Sequence, residues 1–537
     1  VSLAGVTSAA WGQATVNQDA KRGETPARRD AARNAARGGW WDDAVFYEIF
    51  VRSFADSASG PLAGDGIGDL RGLIEKLDTL NDGDPSTTQD LGITGIWLMP
   101  IFEAPSYHGY DTVDYYRIDR EYGTNEDFKD LMREAHKRGI RIILDLVINH
   151  TSRRHPWFLD SAAGENGKRD WYIWTDERPD FVGPWNQNVW HAARGSYYYG
   201  IFSPTMPDLN FRHEPVSEAI FDITRFWLDL GADGYRLDAI RHLIEDGPVQ
   251  ENTPETFKWL ARFKETYKAA DPEALAIGEV WTSSEDSAPY VGDQMDLVFD
   301  FDLSYAMMDS AKTGRADRVA ETQANVNGLY PPGQYGRFLT NHDQLRVMTT
   351  LDDAGAARVA AMMLLTGPGV PFLYYGEEIG MRGDKPDPEI RTPMPWTAAG
   401  GFTSGTPWKD FKTPPAELNV AAQQSDQESL WSLYRDLIRL RSEHPALRSG
   451  TAVVVPAGTP SVYATLRGGE NTRRVLVAIN LADEPAEGVR IDVSDQDVLT
   501  AGGPIWGGIP ATFQEGVLTL TGPLPPRTMV VIPLYQW

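Results

Sequence analysis

The stretch IRIILDLVINH (140–150) decides how the chain folds. Its nearly unbroken apolar run describes a strand buried on both faces, as in a parallel sheet covered by helices. Asp145, Asn149 and His150 toward its end are costly in such a place unless a partner or a pocket needs them. Outward from it lie AVFYEIFVRSF (44–54) and ITGIWLMPIF (93–102) on one side. On the other lie DGYRLDAI (233–240), ALAIGEVW (274–281), MDLVFDFD (295–302), GRFLTN (336–341) and GVPFLYYG (369–376). Amphipathic patterns such as DLRGLIEKLDTL and SEAIFDITRFWLDLG separate them, several ending in the Gly that favours a left-handed C-cap. Eight strand and helix pairs over about 400 residues predict a (β/α)8 TIM barrel with insertions rather than an open doubly wound sheet. No glycine-rich phosphate loop follows any of the strands, which removes the usual nucleotide signature.

The barrel is expected over 40–150 and 211–450, interrupted after strand three by a small inserted domain, 151–210, rich in Trp, Tyr, Pro, Gly and Asn and too long for a simple loop. Beyond the helix pattern 429–450 come short alternating runs, SVYATLR, RRVLVAIN, VRIDV and TMVVIPL, that predict a C-terminal antiparallel β-sandwich over 451–537. Residues 1–39 are expected to be an N-terminal extension, in which 14–39, rich in Ala, Arg, Gly and Asn, lack a periodic apolar face and read as solvated. The opening VSLAGVTSAAWGQ looks like the tail of a signal peptide or the segment after its cleavage, so a secreted or periplasmic location is expected.

Of 537 residues, 50 are Lys or Arg and 76 are Asp or Glu, a net charge of −26 that repels phosphate backbones and anionic membrane surfaces. Neither nucleic acid nor a membrane is expected as a partner, and a monomer is expected. The absence of cysteine excludes disulfides, thiolate metal sites and a cysteine nucleophile together.

A barrel of this kind carries its active site at the C-terminal ends of the strands. Polar residues gather there: Asp145, Asn149 and His150 after strand three, Arg236 and Asp238 on strand four, Glu279 on strand five, and Asn341, His342 and Asp343 after strand seven. One buried carboxylate is commonly an ion-paired structural residue, but carboxylates at the ends of separate strands point to a catalytic constellation.

These residues fall in DLVINH (145–150), GYRLDAIRH (234–242), IGEVW (277–281) and FLTNHD (338–343), with HGYDTVDYY (108–116), MPDLN (206–210) and GEEIGM (376–381) around them. In this order they resemble the α-amylase family, glycoside hydrolase family 13, and the resemblance runs over about residues 40–537. MPDLN resembles a group intermediate between neopullulanase-like and oligo-1,6-glucosidase-like members. The resemblance implies Asp238 as nucleophile, Glu279 as general acid/base and Asp343 as transition-state stabiliser. It also implies Tyr110 beneath the sugar, with Asp111, His150, Arg236 and His342 as further substrate-binding residues. Elementary chemistry agrees, since retention needs one ionised and one protonated carboxyl about 5–5.5 Å apart. Arg236, two positions from Asp238 and so on the same strand face, is expected to keep Asp238 ionised. Burial among Ile277, Val280 and Trp281 is expected to raise the pKa of Glu279. His150 and His342 are expected to be neutral donors to sugar, and His242 structural. Trp185, Trp190 and Tyr197–Tyr199 are candidates for touching glucan or for the core of the inserted domain.

Asp65-Gly-Ile-Gly-Asp69 has the oxygen spacing of a calcium loop, with Asp56, Asp65, Asp69 and the Ile67 carbonyl as candidate ligands to a structural Ca2+; the alternative is an empty acidic turn. Asp56 stands nine positions before Asp65 rather than the four of related enzymes, and their asparagine is missing. A second family calcium site would use Asn149 and Asp208.

The expected activity is retaining hydrolysis of α-1,4-glucosidic bonds in starch-like glucans or malto-oligosaccharides. Ala239, after the nucleophile, resembles α-1,4-specific members rather than the α-1,6-specific ones, which tend to carry valine there. The alternatives are an α-glucosidase, a 4-α-glucanotransferase or a trehalose-forming isomerase on the same site. From another class comes a non-catalytic glucan-binding or transporter-accessory protein, which the complete carboxylate triad disfavours.

Overall fold

A computed structural model describes residues 39–448, 450–469, 473–496 and 498–535. The expected N-terminal extension and its signal-like opening lie outside the described residues, apart from Gly39.

The eight expected strands are all present: β1 (Phe46–Ile49), β2 (Gly95–Leu98), β3 (Arg141–Leu146), β4 (Gly234–Leu237), β5 (Leu275–Gly278), β6 (Leu297–Val298), β7 (Gly336–Phe338) and β8 (Val370–Tyr374). Neighbouring strands pair in parallel except β6 with β7, and β1 pairs with β8. The seam between β6 and β7 is closed by a parallel bridge from Phe299 to Gly336, which makes the sheet a barrel. All eight strands are shorter than the apolar runs suggested, and in two of them a helical segment takes over. Val51–Phe54 turns into a helical segment after β1, and β6 stops early because Asp300 caps the helix Phe301–Thr313, accepting the Leu303 N–H at 2.8 Å.

Register explains the interior. Phe46, Trp97, Ile143, Ile277, Phe299 and Phe372 share one buried cluster inside the barrel. Gly95 and Gly336 make room there, since a Cβ would stand 2.6 Å from the Phe46 ring and 2.8 Å from Ile277 Cδ1, respectively. One step further along each strand the inward positions turn polar: Glu48, Asp145 and Arg236 sit at successive inward places, with Asp145 opposite Arg236 in register. The apolar layer therefore forms a floor under a charged one.

Residues 151–210 carry the helix Pro156–Ala163 and a small antiparallel sheet of Trp174–Thr175, Ser196–Tyr199 and Trp190–Ala193. The C-terminal part forms antiparallel sheets of five and three strands over a shared apolar cluster, the expected sandwich. Among the described residues no helix is long and apolar enough to cross a membrane.

Candidate active site

At the C-terminal mouth of the barrel lies a cavity of about 910 Å3. Asp238, Glu279 and Asp343 all line it, with Tyr110 and His150. Beneath them Arg236, 1 % exposed, holds three carboxylates with one guanidinium. Its Nη1 donates to Asp145 Oδ1 at 2.9 Å and to Asp238 Oδ1 at 2.6 Å, and its Nη2 lies 2.7 Å from Glu279 Oε2. Glu279 Oε2 also accepts the Ala239 N–H at 3.1 Å. Ala239 can aim that N–H inward because it takes the left-handed conformation, φ +48°.

The electrostatics differ from the expectation drawn from sequence spacing. Burial raises the Asp238 carboxyl, and Arg236, whose one charge is shared among three acids, only opposes that shift. Glu279 is pushed up to about 7 by burial, Arg236 lowering it and the charges of Asp238 and Asp343 raising it. The strongly acidic group is Asp343. Burial would raise it, but His342 and Arg391, with Arg236 behind them, hold it below the usual carboxylate range. Arg391 Nη2 donates to Asp343 Oδ1 at 2.9 Å.

His342 overturns the expectation of a neutral donor to sugar. It is fully buried, lines no part of the cavity, and sits between Glu48 and Asp343, which raise it to about 10 against the effect of burial. Burial lowers His150 to about 4, so it is neutral as expected. Its Nε2 lies 3.0 Å from the Tyr110 carbonyl, so this nitrogen meets the backbone. Tyr110 rests its ring parallel to His342, 5.5 Å between centroids and 14° apart, and donates its hydroxyl to Asp145 at 3.0 Å. Two other candidates do not reach the cavity. Asp111 is buried and accepts the Ser106 hydroxyl, and Arg236 gives its hydrogen bonds to carboxylates while its guanidinium carbon lies 5.0 Å from the centre of the Trp97 ring.

Of the aromatic candidates, Trp185 borders the cavity, whereas Trp190 and Tyr199 build the core of the inserted sheet and Tyr198 packs on Phe158. His242 borders the cavity as well, with Nδ1 2.9 Å from the Gln250 carbonyl. Sequence reasoning missed Arg391 and Asp387, which reach the site from the loop after β8, and Glu48 on β1. Glu48 carried a usable signal, a carboxylate inside an apolar strand; Arg391 stood in no recognisable pattern.

The carboxylates of the acidic loop accept hydrogen bonds from the chain itself. Asp56 accepts the N–H groups of Gly64 and Gly66 at 2.9 and 3.0 Å and the Thr403 hydroxyl. Asp69 accepts Gly72 N–H at 2.8 Å as the cap of the helix Leu70–Leu80, and Ser57 through both its N–H and its hydroxyl. Asp65 accepts the Ile67 N–H at 2.9 Å. Backbone N–H groups of Gly64, Gly66, Ile67 and Gly72 thus meet carboxylate oxygens that a calcium loop would turn toward the ion. At the second position Asn149 gives its amide nitrogen to the His242 carbonyl at 2.8 Å, leaving Asp208 with one buried oxygen that has no partner.

Barrel, floor and convergent carboxylates define a glycosidase site, and the comparisons agree. The alpha amylase catalytic-domain family matches residues 48–450. The chain belongs to this family, glycoside hydrolase family 13. Alpha-amylase 3 of Dictyoglomus thermophilum is 39% identical over 433 residues, 79% of this chain and 82% of that protein. A trehalose synthase/amylase of Mycolicibacterium smegmatis is 34% identical, covering 83% and 85%. An oligo-1,6-glucosidase of Heyndrickxia coagulans is 32% identical, covering 83% and 92%. The crystal structure of an alpha-amylase from H. orenii superposes with a TM-score of 0.81 at 39% identity, over 92% of this chain and 99% of that one. The chain is an enzyme acting on glycosidic bonds.

Proposed function

We propose that the enzyme hydrolyses α-1,4-glucosidic bonds of malto-oligosaccharides and starch-like glucans with retention of configuration. The observation that carries this reading is the sharing of one guanidinium by Asp238 and Glu279, on adjacent nitrogens, with Glu279 raised to about 7. That arrangement keeps the two carboxyls close, as a double displacement requires (about 5–5.5 Å). Asp238 attacks the anomeric carbon while Glu279 gives its proton to the leaving oxygen. A water then enters, loses its proton to Glu279 and releases the sugar. Asp343, the most acidic of the three, takes hydrogen bonds from sugar hydroxyls as positive charge grows on the ring.

A second reading places a sugar in the role of that water. The exposed indole of Trp281, two residues from Glu279 and on the cavity wall, favours it, because an aromatic face suits an incoming pyranose. The relative named trehalose synthase/amylase points the same way. Product analysis on maltotriose, maltoheptaose, soluble starch and cyclodextrin, with Asp238→Asn and Glu279→Gln as controls, separates the two. Glucose and short maltosides support hydrolysis; longer or isomeric products support transfer; wild-type rates in either variant would overturn both.

A further inference from the structure

We propose that Glu48 is a positioning residue that holds His342 as an imidazolium, and that this cation in turn fixes Asp343 and Tyr110 at the cavity. Glu48 lies on the inward face of β1, 2 % exposed, and does not line the cavity. Its Oε1 is 2.5 Å from His342 Nδ1.

Hydrogen accounting at the other ring nitrogen makes the case without reference to titration. The Tyr110 hydroxyl has one proton and donates it to Asp145 Oδ2 at 3.0 Å. With that proton on Asp145, the hydroxyl accepts at its 2.6 Å contact with His342 Nε2, and Nε2 is the donor. The same nitrogen faces Asp343 Oδ2 at 3.2 Å, another acceptor. Nδ1, against the Glu48 carboxylate, needs the second hydrogen. An imidazole with both nitrogens protonated is a cation.

Every neighbouring element agrees. From β2 the Trp97 ring meets His342 edge-on at 5.6 Å and brings no charge. From β3 Asp145 acts through Tyr110, with Arg236 of β4 paired to it. From the loop after β8 Arg391 gives its Nε–H to the His342 carbonyl at 3.0 Å and its Nη2 to Asp343. Among the described residues the anions in contact with the ring are Glu48 and Asp343, and Asp343 is itself part of the site. Glu48 is therefore the group through which the ring can be discharged without touching the cavity wall. With Gln at position 48 the amide oxygen still accepts the Nδ1 hydrogen, but the neutral ring would then turn a bare Nε2 toward Tyr110 and Asp343.

The test is a 15N histidine NMR titration of wild type and Glu48→Gln from about pH 5 to 10, with His342→Gln for assignment and kcat/KM on an α-glucoside over the same range. In wild type the His342 ring should stay imidazolium beyond about pH 8; in Glu48→Gln it should titrate at least about one unit lower. The loss of kcat/KM should be about tenfold or more greater at pH 8 than at pH 5.5, where the ring is charged in both proteins. Glu48→Asp, which retains the charge, should recover most of the high-pH activity. A wild-type ring that titrates near 6.5, an unchanged titration in Glu48→Gln, or a loss equal at every pH would overturn the proposal. If Glu48→Gln does not fold, the wild-type titration alone decides. The kinetic arm rests on the proposed glycosidase function, whereas the titration needs no turnover, so a protein that cleaves no α-glucoside would refute the one without touching the other.

Discussion

Arg236 and Glu279 meet at 2.7 Å, Nη2 to Oε2, both shielded from solvent, and the same guanidinium carries Asp145 and Asp238 on its other terminal nitrogen. The site thus has one fixed cation for three acids at its base and a second charged group, His342, under the third cavity carboxylate. A planar fork presents donors from two separate terminal nitrogens, as the carboxylates on either side require; an ammonium has all three of its N–H groups on one nitrogen. Arg236→Lys should therefore lower kcat/KM by about 100-fold or more and cost about 3–5 kcal/mol of stability, read from denaturant unfolding. Near-wild-type values of both would mean that the carboxylates are organised by something else.

The pH profile follows from Glu279. As general acid it must be protonated, and with its carboxyl raised to about 7, kcat/KM should fall as pH rises through neutrality. Its stability linkage has the same sign. A carboxyl raised above its unfolded value of 4.5 contributes stability that is present below that value and lost as pH climbs through about 7. Glu279→Gln should lose turnover while its melting temperature falls less than that of wild type between about pH 5 and 8. Parallel melting curves over that range would contradict the raised carboxyl.

Removal of divalent cations should leave the melt unchanged, because Asp56 and Asp69 already spend their oxygens on Gly64, Gly66, Gly72, Ser57 and Thr403. Asp56→Ala should lower stability by about 1–3 kcal/mol, the cost of orphaning buried N–H donors. A melt lowered by chelator and restored by calcium would show that the loop exchanges those donors for an ion.

Ala239 is the position at which linkage choice is most open to test, and the structure changes how that test is read. Its φ of +48° is a region a β-branched residue enters only under strain, so Ala239→Val should lose some stability as well as narrow the cavity beside Asp238. The ratio of kcat/KM on panose to that on maltotriose should still shift toward the α-1,6 bond, by about tenfold if this contact dominates. An unchanged ratio places linkage selection elsewhere, with the loop bearing Asp387 and Arg391 the nearest candidate.

Much of this site is legible in the sequence because strand periodicity does the placing. Once β3, β4, β5 and β7 are recognised, Asp145, Arg236, Asp238, Glu279 and Asp343 must converge at one end of a barrel. The charge state is not legible in the same way. Spacing puts Arg236 beside Asp238, but only the closed barrel brings Asp145 and Glu279 to the same guanidinium and dilutes its effect. Glu48 and His342 are 294 residues apart and meet across the barrel between β1 and the end of β7, so neither side chain's neighbourhood in the sequence reveals the pair. Arg391 arrives from an irregular loop, where periodicity carries no information. The acidic loop is a related case: spacing shows its carboxylates but not the Gly64 and Gly66 N–H groups that the fold brings to the Asp56 oxygens.

The central claim is a double displacement through Asp238. Proton NMR of the anomeric signals during the first turnovers on maltoheptaose, recorded before mutarotation, tests it most directly: two inversions release the α-anomer, which the account predicts, whereas initial release of the β-anomer would mean a single inversion and contradict it.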